Sequence, residues 1–342
     1  MRLCFVAHRY APFPGGTEVY VRALAEEFLR RGHEIWVLAD KHQGDLDGVR
    51  LTSDHKILNT PFDLVVVHGP TKGSQQHVLK NCATVNGPVL YMLVAHNANH
   101  VVKRGLRDSA AAGWSTPLDL SIVEKAGFAS KARRVRHGLD PASSMAEPGF
   151  RRKYGIADDR RMFLSCGGYW PHKRMKELAH LFERANVENA VLVTTGYHAV
   201  AHAMPKKSDR VLPLLIENRT DVLSAIREAD CYLMHSRDEG FGLVLLEAMF
   251  NRTPWISHAV GGAPELKAFG AVYETQDELL NCLKNFKPDP ERIEQARRFV
   301  LENHLISHAV DDISAIAHEL AGFQRPALRH SRFWPFPFSR WP

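Results

Sequence analysis

Glu239 and Glu247 stand either side of seven residues that begin Gly240-Phe241-Gly242-Leu243. Two carboxylates so placed can accept hydrogen bonds from hydroxyls at both ends of a ligand. The string between them suits an anion at the ligand's middle. Two glycines let a ligand come close to the backbone. A helix opening behind a glycine turn leaves N–H groups unpaired, with partial positive charge added by the helix dipole. Such an end favours a phosphate or diphosphate. A sugar joined to a nucleoside through a diphosphate carries hydroxyls at each end and the anion between them. That is the ligand these residue types predict.

The elements that must position these groups follow from the flanking pattern. The apolar run Cys231-Tyr232-Leu233-Met234 predicts a strand, with Glu239 in the turn-like segment after it. The apolar stretch 243–250 predicts a helix that carries Glu247. After Pro254, Trp255-Ile256-Ser257 predicts a short strand, and Gly261-Gly262 a turn closing on Glu265. Upstream, strands are expected at 162–165, 190–195 and 211–215, and a helix at 221–229. The loop 166–173 after the first of these ends on Lys173, with Arg174 beside it. Alternating strands and helices of this length predict a doubly wound parallel sheet.

A similar pattern runs through the first half. Residues 3–7 predict a buried strand, 9–16 a loop with Pro12, Pro14 and Gly15-Gly16, and Thr17 a helix N-cap. Val21, Leu24, Ala25 and Phe28 recur at helical spacing, Gly32 stops the helix, and 35–39 is the next strand. Neither G-x-G-x-x-G nor G-x-x-x-x-G-K-[ST] occurs there, which argues against a dinucleotide site or a P-loop. Further strands are expected at 64–67 and 89–94, the second running into His96 where ligands of open sheets bind. His96 and His100 lie four apart without a third ligand nearby, so no metal site is expected. Bases cluster at Lys103, Arg104 and Arg107 and again at Lys131, Arg133, Arg134 and Arg136; either group could form a solvated face, an acceptor surface or a contact with an acidic membrane. Residues 141–148, with two prolines, read as a linker.

At 342 residues the chain has length for two cores. Five scattered cysteines without a C-x-x-C pair point to a reducing cytoplasm. The short apolar start fits no signal-peptide core, and no apolar run is long enough to span a bilayer. The net charge of +6 asks for an anionic partner without naming it. The tail 325–342 has four arginines, no acid and five aromatics among prolines, which reads as a wrapping or disordered segment or as an interfacial anchor.

The central string resembles the E-x7-E signature of glycosyltransferase family 4, the retaining enzymes of the GT-B fold. That signature reads S-x-x-E-G-F-G-L-x-x-L-E-A-M, then P, then G-G-x-x-E. It is matched by Ser236, Glu239, Gly240, Phe241, Gly242, Leu243, Leu246, Glu247, Ala248, Met249, Pro254, Gly261, Gly262 and Glu265. The first loop resembles the family's P-x-x-G-G-x-E through Pro12, Gly15, Gly16 and Glu18. Arg136-His137-Gly138-Leu139-Asp140 resembles its P-N-G-V-D segment. One departure stands out: the family's G-R-x-x-x-x-K keeps its lysine as Lys173, but the arginine's place is taken by Gly168. A guanidinium lost there removes a bidentate phosphate contact, with Arg174 a candidate replacement.

The resemblance implies an α/β protein of the GT-B fold, two Rossmann-like doubly wound domains facing a cleft. Residues 1–140 would form the acceptor domain and 141–305 the donor-binding domain, with 306–342 packing back on the first. By the same carry-over Glu247 would hold the ribose and Glu239 the donor sugar. Lys173, with the Leu243 and Val244 N–H groups behind Gly240, Phe241 and Gly242, would hold the diphosphate. Gly16 and His96 would approach from the acceptor side. The implied reaction moves a sugar from a UDP- or GDP-linked donor to a glycan or lipid-linked acceptor, with retention and without metal or cofactor, and with no role for nucleic acid. The setting expected is polysaccharide or glycolipid synthesis in the cytoplasm, at the inner face of the membrane. A non-catalytic nucleotide-sugar scaffold and a nucleotide-sugar epimerase of the same fold stand as alternatives.

Overall fold

The computed structural model describes residues 1–13, 15–68, 73–93, 100–197 and 202–322. The apolar runs of the first half form β1 (Arg2–Ala7), β2 (Glu34–Ala39), β3 (Gly44–Leu46), β4 (Val49–Thr52), β5 (Leu64–His68), β6 (Val89–Met92), β7 (Ala111–Trp114) and β8 (Ala132–Arg134). They make one eight-stranded sheet in the order β3-β4-β2-β1-β5-β6-β7-β8. Every pairing is parallel except the β3–β4 edge hairpin. β1 lies between β2 and β5, and its side chains alternate between two separate cores, which is why its sequence is apolar throughout.

The second half forms β9 (Arg161–Cys166), β10 (Ala190–Gly196), β11 (Val211–Leu215), β12 (Cys231–Met234), β13 (Trp255–His258) and β14 (Ala271–Tyr273). Their order is β11-β10-β9-β12-β13-β14, parallel throughout. The chain runs outward from β9 through β10 to β11, then returns to start again at β12. The strand order therefore reverses between β9 and β12, and the crevice beyond their carboxyl ends is where an open sheet takes its ligand. In the first sheet the reversal falls between β1 and β5.

The chain passes between the lobes at two places that are hydrogen-bonded to each other. Leu139 N–H donates to the His304 carbonyl at 2.9 Å, and Ile306 N–H to the Leu139 carbonyl at 2.8 Å. The last described helix, Ile306–Glu319, then packs on helix Gly16–Arg30 of the first lobe. Arg136 fixes it with a bidentate pair to Asp312, 2.6 Å at the shorter contact; Arg31 reaches Asp311 at 2.6 Å, and Arg133 pairs with Glu319. Much of the second basic group is thus engaged inside the molecule. Lys131 joins it by donating to the Leu106, Arg107 and Ser109 carbonyls at the end of helix His100–Asp108.

A row of rings fills the junction of the lobes. His137 lies 4.8 Å from Tyr20 and 5.1 Å from Phe241, and Tyr20 lies 5.0 Å from His68. Leu243 packs against the cores of both lobes. The stretch read as a linker differs from expectation: Asp140 caps a helical turn at Pro141–Ser144, with proline at its first position. Helix Gly16–Arg30 begins one residue earlier than the N-cap placed at Thr17, with Gly15 as the cap. Strand β6 ends at Met92 and leaves out Leu93, and the expected last position, Val94, lies outside the described residues.

Two outcomes follow. A Cβ on Gly138 would overlap the Leu305 carbonyl, so Gly138→Ala should cost about 1–3 kcal/mol and lower the thermal midpoint. Burial pushes His68 down to about 3, with help from His137, and pushes His137 down to about 4. The folded protein then binds fewer protons than the unfolded chain below the ordinary imidazole value of 6.5. Stability from these two groups is present above that value and drains away as pH falls toward 4, each tenfold change in proton affinity being worth about 1.4 kcal/mol. Thermal melts between pH 8 and 4 should be flat in this contribution at first and then fall; no fall in wild type, or an equal fall in His137→Phe, contradicts it.

Candidate functional site

The loops after β9 and β12 meet at the reversal of the second sheet. Arg237 N–H donates to the His172 carbonyl at 2.7 Å and ties one loop to the other. Lys173 ends a single 3-10 turn, Pro171–Lys173, and its Nζ reaches Glu239 Oε1 at 2.6 Å. Ser236 Oγ donates to the same oxygen at 2.5 Å. Burial opposes the charge on Lys173, but the Glu239 carboxylate outweighs it and holds the ammonium above its ordinary value. The lysine is therefore a partly buried cation kept charged by its partner.

Helix Leu243–Phe250 opens at Gly242, whose φ of +87° is left-handed and whose missing side chain leaves the first N–H groups without a side-chain cap. A second glycine turn braces that opening. Gly262 N–H donates to the Phe241 carbonyl at 2.7 Å. Gly261 has φ +58°, and a Cβ there would stand 2.7 Å from the same carbonyl oxygen. One on Gly262 would stand 2.8 Å from the Phe241 ring. Both glycines are needed for the close approach, and the Phe241 ring they support packs into the junction between the lobes.

Glu247 lies within the helix, nearly buried, and Arg219 Nη2 reaches its Oε1 at 2.6 Å. Arg219 was not identified from the sequence. It opens helix Arg219–Glu228 after Asn218, whose side chain accepts from Thr220 N–H. A cation at the first position of a helix opposes the dipole. That mismatch was the available signal that a carboxylate elsewhere holds it.

Arg174 has a left-handed backbone, and its guanidinium turns toward the β12 loop. Its Nε donates to the His235 carbonyl at 2.8 Å and its Nη2 to the Ser236 carbonyl at 3.4 Å. His235 Nδ1 meets the Tyr273 hydroxyl at 2.5 Å, and burial together with Arg174 pushes His235 down to about 4. Arg174 thus holds the backbone that presents Ser236 and Glu239.

The structure brings Lys173, Arg174, Glu239, Gly240, Phe241, Gly242, Leu243, Val244 and Glu247 onto two adjoining loops and one helix. Gly16 stands apart in the first lobe, at the start of its helix, where a Cβ would meet nothing within 4 Å. His96 lies outside the described residues. Among the described residues no group of three or more His, Cys, Asp or Glu side chains is placed to hold a metal ion, and no helix is long and apolar enough to cross a membrane.

Comparison with known proteins falls on the same region. Residues 147–282 match the family model described as glycosyl transferases group 1. Among curated relatives, the N-acetyl-alpha-D-glucosaminyl L-malate synthase of Bacillus anthracis is 26% identical over 186 residues, 50% of this chain and 48% of that protein. The lipopolysaccharide core biosynthesis mannosyltransferase LpcC of Rhizobium leguminosarum bv. viciae is 28% identical over 220 residues, 56% of this chain and 60% of its own. The chain spans about half the length of the curated relatives it matches. Solved structures share the fold over nearly all of it. Sucrose-phosphate synthase from Thermosynechococcus elongatus superposes with a TM-score of 0.75 at 16% identity, covering 94% of this chain and all of that one. Anabaena HepE, solved in complex with UDP-glucose, does so at 0.71 and 17%, with the same coverage. Residues 147–282 are therefore similar to the glycosyl transferases group 1 family, and they are set in a two-lobed GT-B framework.

Proposed function

We propose that the chain is a retaining glycosyltransferase, moving a sugar from a UDP- or GDP-linked donor to an acceptor hydroxyl. One observation carries this reading. The two carboxylates of the seven-residue spacing each hold a cation at 2.6 Å, and they stand before and within one glycine-opened helix at the reversal of the sheet. In this reading Glu239 takes the donor sugar's hydroxyls and Glu247 the ribose hydroxyls. Lys173 and the Leu243 and Val244 N–H groups take the diphosphate. Binding is then an exchange of partners. Lys173 leaves Glu239 for phosphate oxygens, and the freed carboxylate accepts from the sugar. Arg219 yields Glu247 to the ribose and stays beside the nucleoside.

The catalytic contribution is electrostatic. A fixed cation and unpaired helix N–H groups stabilise the charge that grows on the leaving diphosphate, and they do so without a metal or a cofactor. Glu239, already bonded to Ser236 and Lys173, orients the sugar; the attacking hydroxyl reacts on the face the diphosphate leaves. Arg174 acts through the loop carbonyls it binds, so within its loop Lys173 carries the phosphate contact without the family's arginine. Gly16 and His96 would face the donor from the acceptor side. HepE's complex with UDP-glucose favours a uridine donor. A mannosyltransferase of lipopolysaccharide core synthesis among the relatives supports a role in cell-surface glycans or glycolipids. Lys103, Arg104 and Arg107, exposed on helix His100–Asp108, suit an acidic membrane at the cytoplasmic face.

Two measurements test the reading. In a thermal-shift panel of UDP, GDP and ADP, the matching nucleotide should raise the midpoint, because it binds only the folded form; a flat response to all three abandons the donor site. In transfer assays with the donor so found, Lys173→Ala and Glu239→Gln should each lower kcat by about a hundredfold or more. Glu247→Gln should act mainly on nucleotide affinity, and EDTA should change nothing. Lys173→Ala with wild-type kcat and nucleotide affinity would sink the assignment, and sugar interconversion without an acceptor would mark an epimerase instead.

A further inference from the structure

Of the second basic group, Lys131 is spent on carbonyls, Arg133 on Glu319 and Arg136 on Asp312. Arg134, the last residue of β8, is exposed and makes no ion pair among the described residues. Its guanidinium lies 5.7 Å from the Trp114 ring centroid and lines a cavity of about 410 Å³. The cavity flanks the seam where the chain passes between the lobes. Arg134, Arg136 and Asp312 line it from the first lobe and the helix packed on that lobe. Phe299, Asn303 and His304 line it from the end of helix Pro290–Asn303 in the second.

We infer that this cavity binds a small phosphate monoester, its phosphate on Arg134 and its carbon skeleton against the Phe299 and His304 rings. The groups left to a ligand are mostly donors. Arg134 offers a whole guanidinium. Arg136 spends Nε and Nη2 on Asp312 and the His308 carbonyl, leaving Nη1. Asn303 gives one amide hydrogen to the Phe299 carbonyl at 3.1 Å and keeps the other. His304 Nδ1 donates to the His137 carbonyl at 2.7 Å, so Nε2 is the nitrogen left for a ligand. The wall's carboxylate, Asp312, has both oxygens engaged by Arg136. The His304 imidazole reports the resulting field. Burial pushes it down, the His137 carbonyl pulls it up, and Arg134 and Arg136 push it down again.

A phosphate monoester meets such a wall with three acceptor oxygens and nearly two negative charges. A lone carboxylate fills one guanidinium fork and leaves the Arg136 and Asn303 donors unmatched. Nucleic acid needs a track of cations along its backbone, and the neighbouring Lys131 and Arg133 are already engaged. A volume near 410 Å³ holds more than a phosphate ion and is ordinary for a small-molecule site. The Phe299 and His304 rings, 5.3 Å apart, give the rest of the molecule an apolar wall. The inference goes beyond the glycosyltransferase reading and needs no transfer activity. A ligand held by Arg134 and Asn303 ties the lobes together beside the Leu139–His304 hydrogen bond. Its occupant also touches the His304 ring, which lies 5.6 Å from Phe241 at the junction of the lobes.

The test is calorimetric titration of the full chain with inorganic phosphate, glycerol 3-phosphate and ribose 5-phosphate, at ionic strength matched with sodium chloride. The same titrations in Lys173→Ala separate this cavity from a phosphate held by that lysine. At least one ester should bind wild type and Lys173→Ala alike, and more tightly than inorganic phosphate. At ten times its Kd it should raise the thermal midpoint by about 2 °C, because it binds only the folded form. Arg134→Gln alters an exposed side chain and should keep the ligand-free midpoint while weakening the ester about tenfold or more. Arg134→Lys should recover part of that loss, and Asn303→Leu should weaken the ester about threefold, since both lobes contribute. No ester binding in wild type would overturn the inference. So would wild-type affinity in Arg134→Gln, binding lost in Lys173→Ala, or a response to inorganic phosphate alone.

Discussion

The close approach of two glycine turns governs this molecule. Gly261 and Gly262 lie against the Phe241 carbonyl and ring at distances that no Cβ could share without a shift. The contact fixes where the helix bearing Glu247 starts and which way its first N–H groups point. It also sends the Phe241 ring outward among Tyr20, His137 and His304 at the junction of the lobes. One backbone contact thus sets the opening of the helix and the hydrophobic contact that keeps that end facing the other lobe. A larger side chain at either glycine would disturb both together.

Charge is balanced locally around that centre. Each carboxylate of the E-x7-E spacing has a basic partner from a different loop, Lys173 after β9 and Arg219 after β11. Partly buried charges are tolerable because they are paired, and leaving one alone would be costly. The pairs are therefore preorganised, each carboxylate and each cation held in place by its partner.

Much of this was legible in the residues. Spacing and glycine placement pointed to Glu239, Glu247 and the helix between them, and the loop string pointed to Lys173. Alternation of apolar runs gave most strands. The strands β3, β4, β7, β8 and β14 escaped notice because each is only three or four residues long, too short to show a period, and neighbours determine their pairing. The turn at Pro141–Ser144 was hidden by its prolines, although an aspartate followed by proline is itself a helix-start pattern. Arg219 could not be found by spacing, because its partner is 28 positions away and only the packing of two helices joins them. Arg174 is a candidate replacement for the missing arginine, but its left-handed backbone, which turns the guanidinium onto neighbouring carbonyls, has no signature in a string of letters.

The paired crossings at Leu139 and Leu305 have a consequence for how such a chain is put together. Departure and return lie side by side, joined by two backbone hydrogen bonds, and the last described helix packs into the core of the first lobe. Topologically the second lobe is an insertion with adjacent ends, grafted into a host that closes behind it. A graft of that kind can be exchanged for another at a single seam, so one lobe can be replaced while the other keeps its own core.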